Sequence, residues 1–173
     1  MGCSAPRDPQ AFYDQIALQI RHGDLNSART QADRALTLFS SNSLQWSWRF
    51  RLLKAHILAS QAAYPDALAL LRGDLPASLI STDVDVRKNM IEGMAYRGTQ
   101  DFARSREKLT AAETLARHSH PELLCEVLNF RGALEFDENK YSEAASTYQQ
   151  ALELARQRDR RDQEASAIPE SIP

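Results

Sequence analysis

Histidine side chains are the groups in this sequence best suited to metal binding or to proton transfer near neutral pH, and there are four of them. His118 and His120 flank a serine and could supply two metal ligands. No cysteine or carboxylate cluster stands beside them and Pro121 follows at once, so a solvated turn is the simpler interpretation. His56 falls within a helical pattern, where a polar contact suits it better than the role of a general base.

Other patterns that would indicate catalysis are missing from the sequence. It contains no glycine-rich phosphate loop, no His-Glu-x-x-His and no Gly-x-Ser-x-Gly. The acidic pairs Asp83/Asp85 and Asp137/Glu138 fall at predicted helix ends, where capping and the helix dipole explain them. No nucleophile is paired with a base. We therefore expect a protein that is not an enzyme and that uses neither a cofactor nor a metal.

Composition narrows the class of partner. The net charge of −2 gives no general field that would attract nucleic acid or an anionic membrane. Hydrophobic residues at 43% and charged residues at 25% are ordinary for a globular protein, and no run of eighteen apolar residues could span a membrane. Trp46 and Phe50 fall on one apolar helical stripe and are predicted core residues. Trp48 lies off that stripe and could be either core or a partner contact.

The elements that must position these residues repeat along the chain. Four short segments each place a large apolar residue three positions before a small one. The large residues step by 39, 38 and 39 positions and are Leu25, Tyr64, Phe102 and Tyr141. After each of them, apolar residues continue at helical spacing. Nine positions before them stand Ile16, Ala55, Gly93 and Gly132, and three of these four are small. Small residues suit a close crossing of two helices.

Each unit is therefore predicted to be a helix, a tight turn and a second helix packed back on the first. Proline and glycine positions indicate the helix boundaries. The predicted helices are 9–22, 25–40, 44–62, 66–73, 84–98, 101–117, 121–137 and 141–158. They form an all-α repeat domain over 9–158, with units at about 9–40, 44–73, 84–117 and 121–158. Residues 1–8 are expected to be a flexible tail, and 159–173 a second tail or the start of a further helix.

At this point the sequence resembles the tetratricopeptide repeat. The last unit matches its motif best, with Gly132 in the first helix and the apolar series Tyr141, Ala144, Tyr148, Ala151 and Leu152 in the second. The third unit has Ser105 where the motif has alanine, and the second unit is degenerate. The period near 39 exceeds the usual length of about 34. Such extended repeats resemble those of bacterial multidomain proteins with CHAT peptidase domains. The resemblance implies a right-handed superhelical array of four antiparallel helix pairs.

The resemblance also implies where a partner binds, because first helices line the concave face of such arrays. The implied groove residues are Tyr13, Arg49, Leu52, His56, Arg87, Met90, Met94, Arg97 and Asn129. The three arginines are expected to make this groove locally basic. An extended or helical peptide would lie there, with its carboxylates on the arginines.

Two functions remain open at the level of sequence. One is a non-catalytic scaffold that binds a protein or peptide segment in its concave groove. The other is a regulatory or spacer segment of a larger enzyme, such as a CHAT-type peptidase, that contacts another domain of that enzyme. Self-association through an end of the array is a third possibility.

The two cysteines lead to different expectations. Cys125 falls in an apolar helical run and is predicted to be a small buried residue. Gly2-Cys3-Ser4 resembles the mature start of a bacterial lipoprotein, which predicts a lipid anchor at Cys3 and a place in the cell envelope. The alternative is an unmodified tail and a cytoplasmic protein.

Overall fold

The computed structural model describes residues 8–39 and 43–167, and these ranges contain eight α-helices and no strand. In chain order the helices are α1 (Pro9–Arg21), α2 (Leu25–Phe39), α3 (Leu44–Ser60), α4 (Tyr64–Leu70), α5 (Asp83–Gly98), α6 (Phe102–Ser119), α7 (Pro121–Asp137) and α8 (Tyr141–Ala167). One turn of 3-10 helix, Ala77–Leu79, lies between α4 and α5. The helices pack as successive pairs, so the predicted all-α array of four antiparallel helix pairs is confirmed.

Most helix ends fall within three residues of their predicted positions, and α8 is the exception. It continues to Ala167, nine residues beyond the predicted end at 158. The apolar periodicity fades after 158, but arginine, glutamine and glutamate sustain a helix without it. The predicted N-terminal tail, including Cys3, lies almost wholly outside the described residues.

The four turns within the pairs share one backbone conformation. Two positions before each large apolar residue that marks the repeat, the backbone has a positive φ. The residues with this conformation are Gly23 (77°), Ala62 (61°), Gln100 (63°) and Asn139 (61°). The N–H of each and the next N–H donate back to carbonyls in the last turn of the first helix. This is the Schellman arrangement, which satisfies the carbonyls that a helix end leaves free. The same turn therefore sets the same reversal in every pair.

Close crossings hold the helices of the later pairs together. A Cβ placed on Gly93 would lie 2.6 Å from Leu109 Cγ, and one on Gly132 would lie 2.9 Å from a ring carbon of Tyr148. The Ser105 hydroxyl donates to the Gly93 carbonyl at 2.8 Å, which explains a serine where the repeat motif has alanine. At Gly93 the small residue is thus required by contact with the buried Leu109, whereas at Gly132 the neighbour is the partly exposed Tyr148 ring.

Helix α3 joins the two parts of the core. Phe50, Leu53 and Ile57 pack with the first pair, while Leu52 and Leu58 pack with the cluster that runs from α3 to α8. Trp48 is buried in the second cluster, so it is a core residue and not a partner contact. A helix buried on two sides fixes the first pair on the rest of the array.

Candidate partner-binding face

The predicted groove residues come from the first helices of the four pairs, α1, α3, α5 and α7. We call the surface that these four helices share the first-helix face. Side chains far apart in sequence meet on it: the Arg49 guanidinium of α3 binds Asp83 of α5, and Arg87 of α5 pairs with Glu126 of α7. The His56 ring of α3 contacts Phe130 of α7, with ring centroids 6.2 Å apart. Contact between α3 and α7 across α5 shows that this face is concave here.

Two predicted groove residues do not reach the surface of that face. Leu52 is 2% exposed and Met90 is 1% exposed, and both pack inside the core. They are equivalent positions in the second and third repeats, and at this position the side chain points into the core. Neither offers an area to a partner, so we correct the predicted site by removing both.

Arg49 is held firmly between two helices. Its Nη2 donates to both carboxylate oxygens of Asp83, at 3.1 and 3.0 Å, and its guanidinium lies 5.0 Å from the ring centre of Trp46. The Tyr13 ring packs edge-on against Trp46 at 6.1 Å. Burial raises the pKa of the Tyr13 hydroxyl, and the nearby Arg87 opposes that effect. These contacts fix α1, α3 and α5 relative to one another.

Arg87 and Arg97 are placed differently from Arg49. Each lies 3.6 Å from an acidic side chain of α7, Glu126 and Asp137 respectively, too far for a hydrogen bond. Both carboxylates are more exposed than the arginines that they face. The charge of each arginine is therefore balanced by a nearby carboxylate. Neither arginine, however, forms a hydrogen bond to that carboxylate, which would be the stronger interaction.

The acidic partners correct the expected charge of the face. Each of the three arginines faces one carboxylate of the next first helix, so the face is balanced and not basic. Sequence reading assigned Asp83 and Asp137 to helix ends and overlooked their second role. The sequence does contain a signal for these ion pairs, because their spacings are close to the repeat period. Arg87 and Glu126 are 39 positions apart, and Arg97 and Asp137 are 40 apart.

His56 is enclosed and does not act as an open polar contact. Burial lowers the pKa of its imidazole, while Glu126 opposes that shift and Arg87 adds to it. The ring is thus neutral at pH 7 and packs on Phe130. Of the remaining predicted residues, Met94 is half-buried and Asn129 is exposed on α7 between Glu126 and Asp137.

The remaining residues that could bind a metal or act as a nucleophile make contacts that hold helices and loops together. No group of three metal-ligating side chains occurs in 8–39 or 43–167. His120 lies 3.1 Å from the Ser81 carbonyl oxygen and 3.3 Å from Glu122, and so joins the start of α7 to the loop before α5. The Cys125 thiol donates to the Ala151 carbonyl at 3.3 Å, and burial raises its pKa. None of the helices in the described part of the chain is both long and apolar enough to cross a membrane.

Comparisons with known proteins bear on the fold. No family model and no curated protein matches the chain. MamA (41-end) from Desulfovibrio magneticus RS-1 is similar with a TM-score of 0.54 and 22% identity, over 88% of this chain and 78% of MamA. The MamA RS-1 ArsTM double mutant gives 0.53 and 22% over the same shares. The apo form of RapI gives 0.67 and 18%, over 94% of this chain and 62% of RapI.

At such low identity these similarities speak for the fold alone. The similar structures are helical-repeat solenoids, in agreement with the helix pairs described above. They give no support to the association with CHAT domains. The chain thus has a tetratricopeptide-like helical repeat fold.

Proposed function

We propose that this protein is a non-catalytic interaction scaffold whose first-helix face binds an acidic peptide segment of a partner protein. One observation carries the proposal. Arg87 and Arg97 stand on one concave face with balancing carboxylates that they do not hydrogen-bond, whereas Arg49 donates two hydrogen bonds from Nη2 to Asp83. Hydrogen bonds between a guanidinium and a carboxylate are among the strongest available to a protein surface.

A partner carboxylate gains from this arrangement because it replaces a loose ion pair with a hydrogen-bonded one. Glu126 and Asp137 are exposed enough to move into solvent when they are displaced. Arg87 and Arg97 stand ten positions apart on α5, which at 1.5 Å per residue is about 15 Å. An extended peptide covers that distance with about four or five residues. Asn129 lies beside the path and can both donate to and accept from a peptide backbone.

The structure also improves the design of the test. Replacing Arg87 by Glu alone would set two carboxylates side by side and lower stability, which would confuse the result. A reversed-face variant, R87E/E126R/R97E/D137R, keeps both ion pairs and inverts the charges offered to a peptide. The matched control is K54E/D33K, which reverses a pair joining α3 to α2 away from the first-helix face.

The experiment is selection of peptides from a displayed random library on each immobilised protein. The wild-type protein and the control should enrich peptides with two acidic residues four or five positions apart. The reversed-face variant should enrich basic peptides instead. Enrichment of the same sequences by the wild-type and reversed-face proteins would refute the assignment of this face, and so would the absence of any enrichment on the wild type.

A second function is favoured by a different feature, a group of exposed apolar side chains on the fourth pair. They are Phe136, Tyr141, Tyr148 and Leu152. Apolar residues gathered at one end of an array are typical of a surface that packs against something else. This supports the alternative that the array is a regulatory or spacer segment contacting another domain of a larger enzyme. A catalytic domain encoded in the same reading frame would favour it, and a free-standing gene would exclude it.

The same side chains could instead join two copies of the chain. Light scattering on the purified protein separates the two cases, because self-association would double the mass at micromolar concentration. The variant Y141S/L152S changes two exposed positions and should restore the mass of a monomer. A monomer in both proteins would exclude self-association through this end.

We also propose a location for the protein in the cell. A lipid on Cys3 and a location in the bacterial envelope are supported by the Gly2-Cys3-Ser4 start, with the cytoplasm as the alternative. Labelling of the natural gene product with an alkyne fatty acid should mark the wild type and not Cys3→Ser. Equal labelling of the two proteins would contradict a lipid anchor at Cys3.

A further inference from the structure

A cavity of about 530 Å³ opens beside the short helix α4, on a different side of α5 from the first-helix face. Its volume falls within the range of about 300–1,000 Å³ typical of sites for small molecules, while its lining is more polar than is usual for them. Charged side chains dominate its lining, four cationic and two anionic. They are Arg72, Lys88, Arg104, Lys108, Asp74 and Glu92. We call this space the lysine cavity.

The length of α4 explains why the space exists. Helix α4 has seven residues, whereas the second helices of the first and third pairs have 15 and 18. The chain leaves α4 at Leu71 and runs without a helix past Gly73 before the 3-10 turn Ala77–Leu79. The parts of α5 and α6 that a longer α4 would cover are therefore left open.

Charge is unbalanced at the floor of the cavity. Lys88 and Glu92 are buried one helical turn apart on α5 and form an ion pair. The Lys108 ammonium of α6 lies 2.9 Å from the other oxygen of the same Glu92 carboxylate. Two ammonium groups thus share one carboxylate and leave one positive charge without a partner. Removing an uncompensated charge from water is costly, so such a site is stabilised by an anion that supplies the missing charge.

Other carboxylates in the described chain also face two cations, but in different surroundings. Glu113 faces Arg117 and Arg131, and Glu138 faces Arg106 and Lys140. Those four cations are 42–54% exposed, so water screens the extra charge. Lys88 is 11% exposed and Lys108 is 29% exposed, so their excess charge is less screened, and both line the lysine cavity.

We infer that the lysine cavity binds a small organic anion with two or more carboxylate or phosphate groups. One anionic group would lie against Lys88 and Lys108 at the floor. A second would meet Arg72, for which the structure shows no ion pair among the described residues, at the rim beside Arg104, which pairs with Asp101 at 3.4 Å. Leu68 and Tyr96 offer apolar contact to the carbon part of the ligand. The cations of the lining outnumber its anions by two, or by one when Asp101, the partner of Arg104, is counted, and this excess suits an anionic ligand.

Two variants test the site without removing the buried pair. Lys108→Met leaves Glu92 with Lys88 as its partner, and Arg72→Met changes an exposed residue at the rim. The matched control is Lys54→Met, because Lys54 is 27% exposed and Lys108 is 29% exposed, and each forms one ion pair across two helices. Circular dichroism melts establish that each variant is folded.

Titration calorimetry with citrate and, separately, pyrophosphate in low salt supplies the measurement, with glucose as a neutral probe. The wild type and Lys54→Met should bind at least one of the two anions and should not bind glucose. Lys108→Met and Arg72→Met should each weaken that binding tenfold or more. The anion that binds distinguishes a carboxylate ligand from a phosphate ligand. Failure of the wild type to bind either anion, or binding by Lys108→Met within twofold of the wild type, would overturn the proposal.

Discussion

Helix α5 presents two charged sides that differ in how their charges are matched. On the first-helix face, Arg87 and Arg97 each stand opposite one carboxylate of α7. On the side of the lysine cavity, Lys88 and Lys108 share the single carboxylate of Glu92. Arg87 and Lys88 are neighbours in sequence, so a turn of 100° about the helix axis separates the two arrangements.

The difference shows that the effect of a charged cluster on stability depends both on the balance of its charges and on their burial. The pairs on the first-helix face are balanced and partly exposed, and each adds little to stability. At the lysine cavity Lys88 and Glu92 are buried while Lys108 is partly exposed, and the charges are unequal, so removal of the shared carboxylate has a large effect. In our proposals the first arrangement exchanges its carboxylates with those of a partner, and the second holds a small anion.

The largest effect is expected at Glu92. Glu92→Gln leaves the buried Lys88 and the partly exposed Lys108 without their carboxylate and should lower the free energy of unfolding by about 3 kcal/mol or more. Glu126→Gln on the other side of α5 is the matched change and should cost about 1 kcal/mol or less. Urea unfolding of both variants measures the two values. Equal losses would show that the two sides of α5 do not differ in the way described.

An intermediate effect is expected where α6, which carries Lys108, crosses α5. Gly93→Ala brings a methyl group against Leu109, which is 1% exposed and has no free space to enter, so a loss of about 1–3 kcal/mol is expected. Gly132→Ala meets the Tyr148 ring, which is 39% exposed and can rotate outward. Its loss should be within about 0.5 kcal/mol of zero, because alanine favours the helix. Thermal unfolding compares the two, and a larger loss at Gly132 would contradict this account.

The smallest effect is a pH dependence on the first-helix face. Burial lowers the pKa of His56 below 6.5, with Arg87 adding to the shift and Glu126 opposing it. The unfolded chain therefore binds a proton that the folded chain excludes, and stability should fall as pH drops below about 6.5, with a slope of at most about 1.4 kcal/mol per pH unit from this site.

Unfolding measured from pH 7 to pH 5 tests this expectation. His56→Gln should flatten the dependence that the wild-type protein shows. A slope that survives in His56→Gln would assign the pH dependence to another group.

Much of the fold could be predicted because repetition amplifies weak signals. A step of 38 or 39 residues marks the same turn four times, although only Gly23 among the four left-handed residues is a glycine. The end of α8 was missed because its last residues lose the apolar period while they keep helix-forming side chains. The short α4 was predicted from Gly73, but the cavity beside it was not, since it depends on packing between three helices.

The site was less accessible from sequence. The repeat register placed the predicted groove residues on the first helices, and Arg87, Arg97 and Asn129 lie on the face that these helices share. The same register could not tell that Leu52 and Met90 turn inward, because one helical position separates a core residue from a groove residue. Nor could it reveal that each arginine is already matched by a carboxylate from the next pair.

The central claim is that Arg87 and Arg97 present exchangeable positive charge to a partner. The most direct test is a set of four affinities, for a selected acidic peptide and its Glu→Lys counterpart on the wild type and on R87E/E126R/R97E/D137R, by fluorescence anisotropy. The acidic peptide should bind the wild type at least tenfold more tightly than it binds the variant, a difference of about 1.4 kcal/mol, and the basic peptide should show the reverse. Equal affinity of the acidic peptide for both proteins would contradict the claim.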